Sequence, residues 1–153
     1  MKFNLQVKGI NEVKRSLNKF NKETVRELQR EIDKTSFDIQ RRARRVAPSD
    51  RGILRARIQR SSGMLAAIVW SGAKYSLDVE KGQEPGKWPN KSDLEGWVKR
   101  NIKPPKKRLK GITYLIGRKI YKRGTDAQPF FEPTVKYYKQ RFFNNVTRIM
   151  KKL

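Results

Sequence analysis

Phe3, Leu5 and Val7 alternate with polar residues and are closed by Gly9, which predicts a short strand over residues 3–8. From Ile10 the period changes. Val13, Leu17, Phe20, Val25, Leu28, Ile32, Ile39, Ala43 and Val46 recur at mostly three- and four-residue steps. That pattern predicts an amphipathic helix over 11–47, continuous or broken near Asn21-Lys22. Its polar face places Glu23, Glu27 and Glu31 among Arg26, Arg30 and Lys34 at helical neighbour spacings. Proline has no N–H and disfavours helical backbone in the residue before it, so Ala47-Pro48 predicts the stop. A turn through Ser49-Asp50-Arg51-Gly52 follows. Asp50 can bond the turn backbone, and Gly52 can take the positive φ that such a corner needs.

Beyond the corner the period becomes two. Leu54, Ala56 and Ile58 alternate with Arg55, Arg57 and Gln59; Ser61-Ser62-Gly63 signals a turn; Met64 to Ser71 then reads as the returning strand of a hairpin over 53–71. Tyr75 to Lys81 predicts a further strand, closed by Gly82. Two prolines and a glycine mark 83–91 as a loop. Ser92 is positioned to cap a helix over 92–102 that carries Leu94, Trp97, Val98 and Ile102 and ends at Pro104-Pro105. Leu109, Ile112, Leu115, Ile116 and Ile120 predict a helix over 109–123. Phe131, Val135, Tyr138, Phe142, Val146, Ile149 and Leu153 predict another over 132–152, with Pro133 near its first position. The elements sum to a single α+β domain over 1–153. An antiparallel sheet of about four strands packs against the long N-terminal helix, and a C-terminal amphipathic helix completes it.

Composition supports one domain of this size, burying roughly 68–70% of its unfolded surface. Charge changes the picture: 38 basic residues face 14 acidic ones, for a net charge of +24. The two halves of the chain carry nearly equal excesses, so this is no basic tail on a neutral domain. Such a field favours polyanions or acidic protein faces as partners. Arginine concentrates at the corner, with seven in residues 41–58. Basic residues in a last helical turn complement the helix dipole. That need accounts for one or two arginines, while Arg41, Arg42, Arg44 and Arg45 are four. Lys106, Lys107, Arg108 and Lys110 form a second cluster.

The chain has neither histidine nor cysteine. The commonest general base, the thiol nucleophile and most zinc sites are therefore unavailable, and no cofactor is implied. Asp78 and Glu80, on one face of the predicted strand beside Lys81, are the nearest approach to a magnesium nuclease. Their spacing does not match the usual acidic-x-Lys arrangement, and Asp93 and Glu95 read better as first-turn acids facing a helix dipole. Phosphate-cradling glycine loops are absent. The expectation is a protein that is not an enzyme. The opening MKFNLQVKG lacks the apolar stretch of a signal peptide, and the longest apolar run, Met64 to Trp70, is too short to span a bilayer. A soluble chain made in the cytoplasm, without a membrane partner, is expected. For nucleic acid, the basic clusters supply backbone attraction. The aromatics fall mostly at core periodicity, so stacking platforms are not indicated.

Three motifs carry a resemblance. Ala47-Pro48-Ser49-Asp50-Arg51-Gly52-Ile53-Leu54-Arg55 resembles the A-P-x-D-T-G-x-L-R signature of a tailed-bacteriophage family of head–tail joining, or tail-completion, proteins. Tyr75-Ser76-Leu77-Asp78-Val79-Glu80-Lys81-Gly82 is similar to that family's Y-A-x-x-V-E-x-G segment, and Gln128-Pro129-Phe130-Phe131-Glu132-Pro133 to its Q-P-F-L-x-P segment before a last helix. Arg51 stands where threonine is usual, Ser76 where alanine is, and Lys81 where an aromatic is. The order of the motifs is kept across nearly the whole chain.

The resemblance implies a small α+β subunit of the virion, synthesised in the bacterial host cytoplasm. It would join neck and tail proteins as a homo-oligomeric ring at the head–tail junction, around a channel that passes double-stranded DNA. It implies no covalent chemistry. On this reading Arg41, Arg42, Arg44, Arg45, Arg55 and Arg57, with Lys106, Lys107 and Arg108, are the candidate contacts to DNA or to acidic neck partners. Pro48, Asp50, Gly52, Leu54, Tyr75, Glu80, Gly82, Pro129 and Phe130 are fold-defining turn and packing residues. Glu80 is also a candidate to pair an arginine across a subunit boundary. The alternative is a monomeric basic protein that binds nucleic acid through its backbone.

Overall fold

In the computed structural model, the residues described are 2–5 and 22–151. The chain divides into two compact units. The first comprises Met1–Ser76 with Pro129–Leu153, the second Leu77–Gln128.

In the first unit, β1 (Lys2–Leu5), β2 (Ile58–Gly63) and β3 (Ala66–Ser71) form an antiparallel sheet in the order β1-β3-β2. Phe3 pairs with Val69, and Ile58 with Ser71. The sheet has three strands among the described residues, not about four, because 75–81 is helical. Helix α1 (Lys22–Val46) lies on β2 and β3 and also packs against α6 (Glu132–Met150). The predicted helix over 11–47 therefore ends within a residue of its expected stop, while residues 11–21 and the end of the predicted first strand lie outside the described residues. Leu28, Ile39 and Ala43 of α1 are buried, as are Ala67 and Val69 of β3 and Phe131, Phe142 and Ile149 at the start and along the length of α6. At about 25 cal/mol per Å² of apolar surface, such burial is the main favourable contribution to this unit. Pro133 occupies the first turn of α6, where a missing N–H costs nothing.

Two polar threads cross the same unit. Arg60 Nη1 donates to Ser36 Oγ at 3.2 Å and lies 3.6 Å from Asp33, tying β2 to the middle of α1. Glu31 accepts from Thr35 Oγ1 at 3.1 Å and from Asn145 Nδ2 at 2.8 Å, so it serves the α1–α6 contact.

The hairpin is shifted from its predicted position. Its turn is Met64-Leu65, not Ser61-Ser62-Gly63, and Leu65 takes φ 53° with its N–H on Gln29 Oε1 at 2.6 Å. The side chain of Gln29 on α1 thus anchors the turn. Residues Ile53–Ala56 form a single helical turn, α2, and the strand starts only at Ile58. Leu54 and Ile58, four apart, are both buried, whereas Ala56 is exposed. A spacing of four satisfies a two-residue and a 3.6-residue period equally, so the alternation could not separate them.

In the second unit, the segment predicted as a strand over 75–81 is the helix α3 (Ser76–Lys81), whose first residue belongs to the first unit. The loop that follows is fastened to the end of α5 (Lys106–Arg123): Gln83 N donates to Thr125 O at 3.2 Å and Thr125 N to Gln83 O at 2.9 Å. α4 (Lys91–Asn101) packs on α5, with Val98 fully buried. The cap of α4 is Asn90, whose Oδ1 accepts from Asp93 N at 3.1 Å; it is not Ser92. Glu95 is past the first turn, and a 3.0 Å bond from Lys99 holds its carboxyl below the usual carboxylate range. α5 begins at Lys106, three residues before the prediction, because Pro105 can precede a helix as readily as end one.

Candidate interaction surfaces: an arginine corner and an aromatic ladder

The corner is built from backbone outward. Ala47 N makes the last helical bond, to Ala43 O at 2.9 Å, and the Ala47 side chain is wholly buried. Pro48 is half-buried and turns the chain. Gly52 takes φ +73°, the left-handed region expected there, and its carbonyl accepts from Ala56 N at 2.9 Å. Leu54 then enters the core. Asp50 lies 3.9 Å from Arg51.

The arginines gathered by this corner do different work. Arg44 places Nε and Nη2 on the Ile58 carbonyl at 3.0 and 2.7 Å, beside Gln40 Nε2 at 3.1 Å. The end of α1 is thereby clamped to the first residue of β2. Arg55 Nε donates to Ala47 O at 2.8 Å, closing the corner across its mouth. Arg42 lies over the Tyr137 ring at 4.3 Å, a cation–π contact between α1 and α6. Arg41 pairs with Asp38 at 3.2 Å and stands near the Phe37 ring. Arg45 and Arg57 are exposed and make no side-chain bond among the described residues. The set is thus divided: two struts, two side chains held by neighbours along or across helices, and two cations free for a partner.

Other predicted residues separate likewise. Glu80 is only 3% exposed and is engaged within the chain. Asp78 is exposed, and on a helix it faces away from Glu80, so the two do not form the paired carboxylates of the predicted strand. Among the described residues, no group of three or more acidic side chains is placed to hold a metal ion. Tyr75 and Pro129 are exposed, while Phe130 is buried against Phe131 in an edge-on contact. At Gly82 (φ +79°) a Cβ would run into Thr125 O and Ala127 N.

Lys106, Lys107 and Arg108 occupy the first turn of α5, in the second unit. The positive end of a helix dipole disfavours cations there, and α5 has eight basic residues and no acidic one. Sequence reasoning missed what lies further along this helix. Trp88, from the loop, rests over Gly117, where a Cβ would come within 2.9 Å of its ring. Tyr114 and Tyr121 stack on either side, with centroids at 6.0 and 5.3 Å and planes tilted by 27° and 22°. The available signal was Tyr114, Gly117 and Tyr121 on one helical face, distinct from the Ile112–Ile116–Ile120 stripe.

The frame is an α+β one, a long helix on a small antiparallel sheet, with cationic surfaces as its most distinctive chemistry. The chain belongs to the HK97-gp10-like family of bacteriophages: residues 11–91, just over half of its length, match the family described as "Bacteriophage HK97-gp10, putative tail-component". The matched span contains the corner and the Tyr75–Gly82 segment; Gln128–Pro133 lies beyond it. No curated protein and no solved structure matches the chain. Among the described residues, no helix is long and apolar enough to cross a membrane.

Proposed function

We propose that this chain is a structural subunit of the phage head–tail junction, completing the tail and joining it to the DNA-filled capsid as part of a ring, without covalent chemistry. The observation that carries this reading is the tail-component family match across the corner. The net charge of +24 supports it, since a surface near a DNA channel tolerates strong positive potential. A closed ring needs contacts between unlike faces of the subunit. Within that ring, Arg45 and Arg57 are the DNA or acidic-partner contacts, Arg41 contributes through its exposed guanidinium, and Arg44 and Arg55 hold the corner that presents them. Lys106, Lys107 and Arg108 add a second contact region.

The same charge favours one rival, a monomeric protein that binds nucleic acid through the backbone. Mass spectrometry of purified particles, paired with light scattering of the isolated protein with its tail partners, separates the two. The virion reading expects the chain in the particle and an assembly with tail proteins. A protein absent from particles, monomeric with every tail partner and tightly bound to duplex DNA at ~100 mM salt would support the rival instead.

A further inference from the structure

We infer that the aromatic ladder on α5 is a binding surface for single-stranded nucleic acid, with Tyr114 and Tyr121, braced by Trp88 between them, stacking on bases and Lys107, Lys110 and Arg118 engaging phosphates. The inference is independent of the virion role.

The geometry begins with the row of rings. Tyr114 and Tyr121 are two turns apart, about 10.5 Å along the helix axis. Trp88 fills the interval, at 6.0 Å from one ring and 5.3 Å from the other. The seat is made by Gly117, a residue that weakens a helix interior unless close approach requires it. Pinning the loop accounts for the Trp88–Gly117 contact, but it would normally bury the rings involved. These rings stay open, with Tyr114 57% exposed, Trp88 49% and Tyr121 39%.

The charged side chains that α5 itself places beside Tyr114 are all basic. Lys107, Lys110 and Arg118 stand one or two turns from Tyr114 on the same helical face, and all three are exposed. None forms an ion pair among the described residues. The facing carboxylate on α4, Glu95, is already bound by Lys99 at 3.0 Å. A duplex would use these cations and leave the rings idle, since its base faces are hidden. An acidic peptide would likewise need the charges and not a row of flat π surfaces. An unpaired strand presents phosphates and base faces together, which is the combination that stacking grooves exploit.

The test titrates the full-length protein at fixed salt with oligothymidylate, with a duplex of the same length, with heparin and with a polyglutamate peptide. Tryptophan fluorescence and anisotropy are read together. The expected result is tightest binding to oligothymidylate, with quenching of tryptophan emission. Tyr114→Ala should weaken that complex about tenfold or more and leave heparin binding unchanged. Lys107→Gln with Lys110→Gln should weaken both and reduce the salt dependence. Tyr121→Leu gives a second reading of the ladder should Tyr114→Ala fold poorly. Equal affinity for all polyanions, insensitive to the tyrosine substitutions, would overturn the inference, as would a preference for duplex or polyglutamate.

Discussion

Arg44 and Arg45 are adjacent, alike in chemistry and both exposed, yet Arg44 is hydrogen-bonded to the Ile58 carbonyl and Arg45 makes no side-chain bond among the described residues. Replacing each separately by methionine keeps most of the stem and removes every donor. Arg44→Met deletes two charged hydrogen bonds to the Ile58 carbonyl. A bond from a charged donor is worth about 1.5–3 kcal/mol. Here both bonds share one acceptor, Gln40 still serves that acceptor at 3.1 Å, and solvent reaches the guanidinium. The cost should therefore be about 1–2 kcal/mol, which for a chain of this size lowers Tm by roughly 2–8 °C. Arg45→Met removes no such bond, and it relieves repulsion in a chain of net charge +24; its effect should stay within about 0.5 kcal/mol. Urea denaturation with an unchanged slope is the assay, because a shift in midpoint alone then reports stability. Head–tail joining efficiency, measured on the same variants, should fall for Arg45→Met combined with Arg57→Met. If Arg44→Met melts like the parent protein, or Arg45→Met loses as much, the clamp is not what organises the corner.

Gly52→Ala should cost about 1 kcal/mol, because φ is positive while nothing stands within 4 Å of the new Cβ. Gly82→Ala should cost more in the same urea assay, since its Cβ would meet backbone atoms that cannot swing aside. Phe130→Ala, at a side chain only 2% exposed, should destabilise by about 3–5 kcal/mol in calorimetry. Asn90→Ala should cost about 1 kcal/mol through loss of the α4 cap, whereas Ser92→Ala should leave the urea midpoint in place.

The sequence made the long regular elements legible where apolar side chains are the ones buried. The stripe of Phe131, Phe142 and Ile149 placed α6, and the Pro48 stop placed the end of α1. The corner was also legible, down to the positive φ of Gly52. Failure came where polar residues carry the burial. In α3 it is Ser76 and Glu80, four apart, that are buried, while Leu77 and the preceding Tyr75 are exposed, so no apolar face marked the segment as a helix. The roles of the arginines were hidden for another reason: their partners are backbone carbonyls and rings distant in sequence. Arg44 meets Ile58, and Arg42 meets Tyr137. No local spacing encodes such contacts. The aromatic ladder likewise needs Trp88 to reach a helix that starts well beyond it, a pairing that only the fold brings about.

The virion role is tested most directly by electron microscopy of particles from an infection in which this chain is not made. The account predicts DNA-filled heads and finished tail tubes lying separate, with joining restored when the protein is supplied. Intact, infectious phage assembled without it would contradict the account.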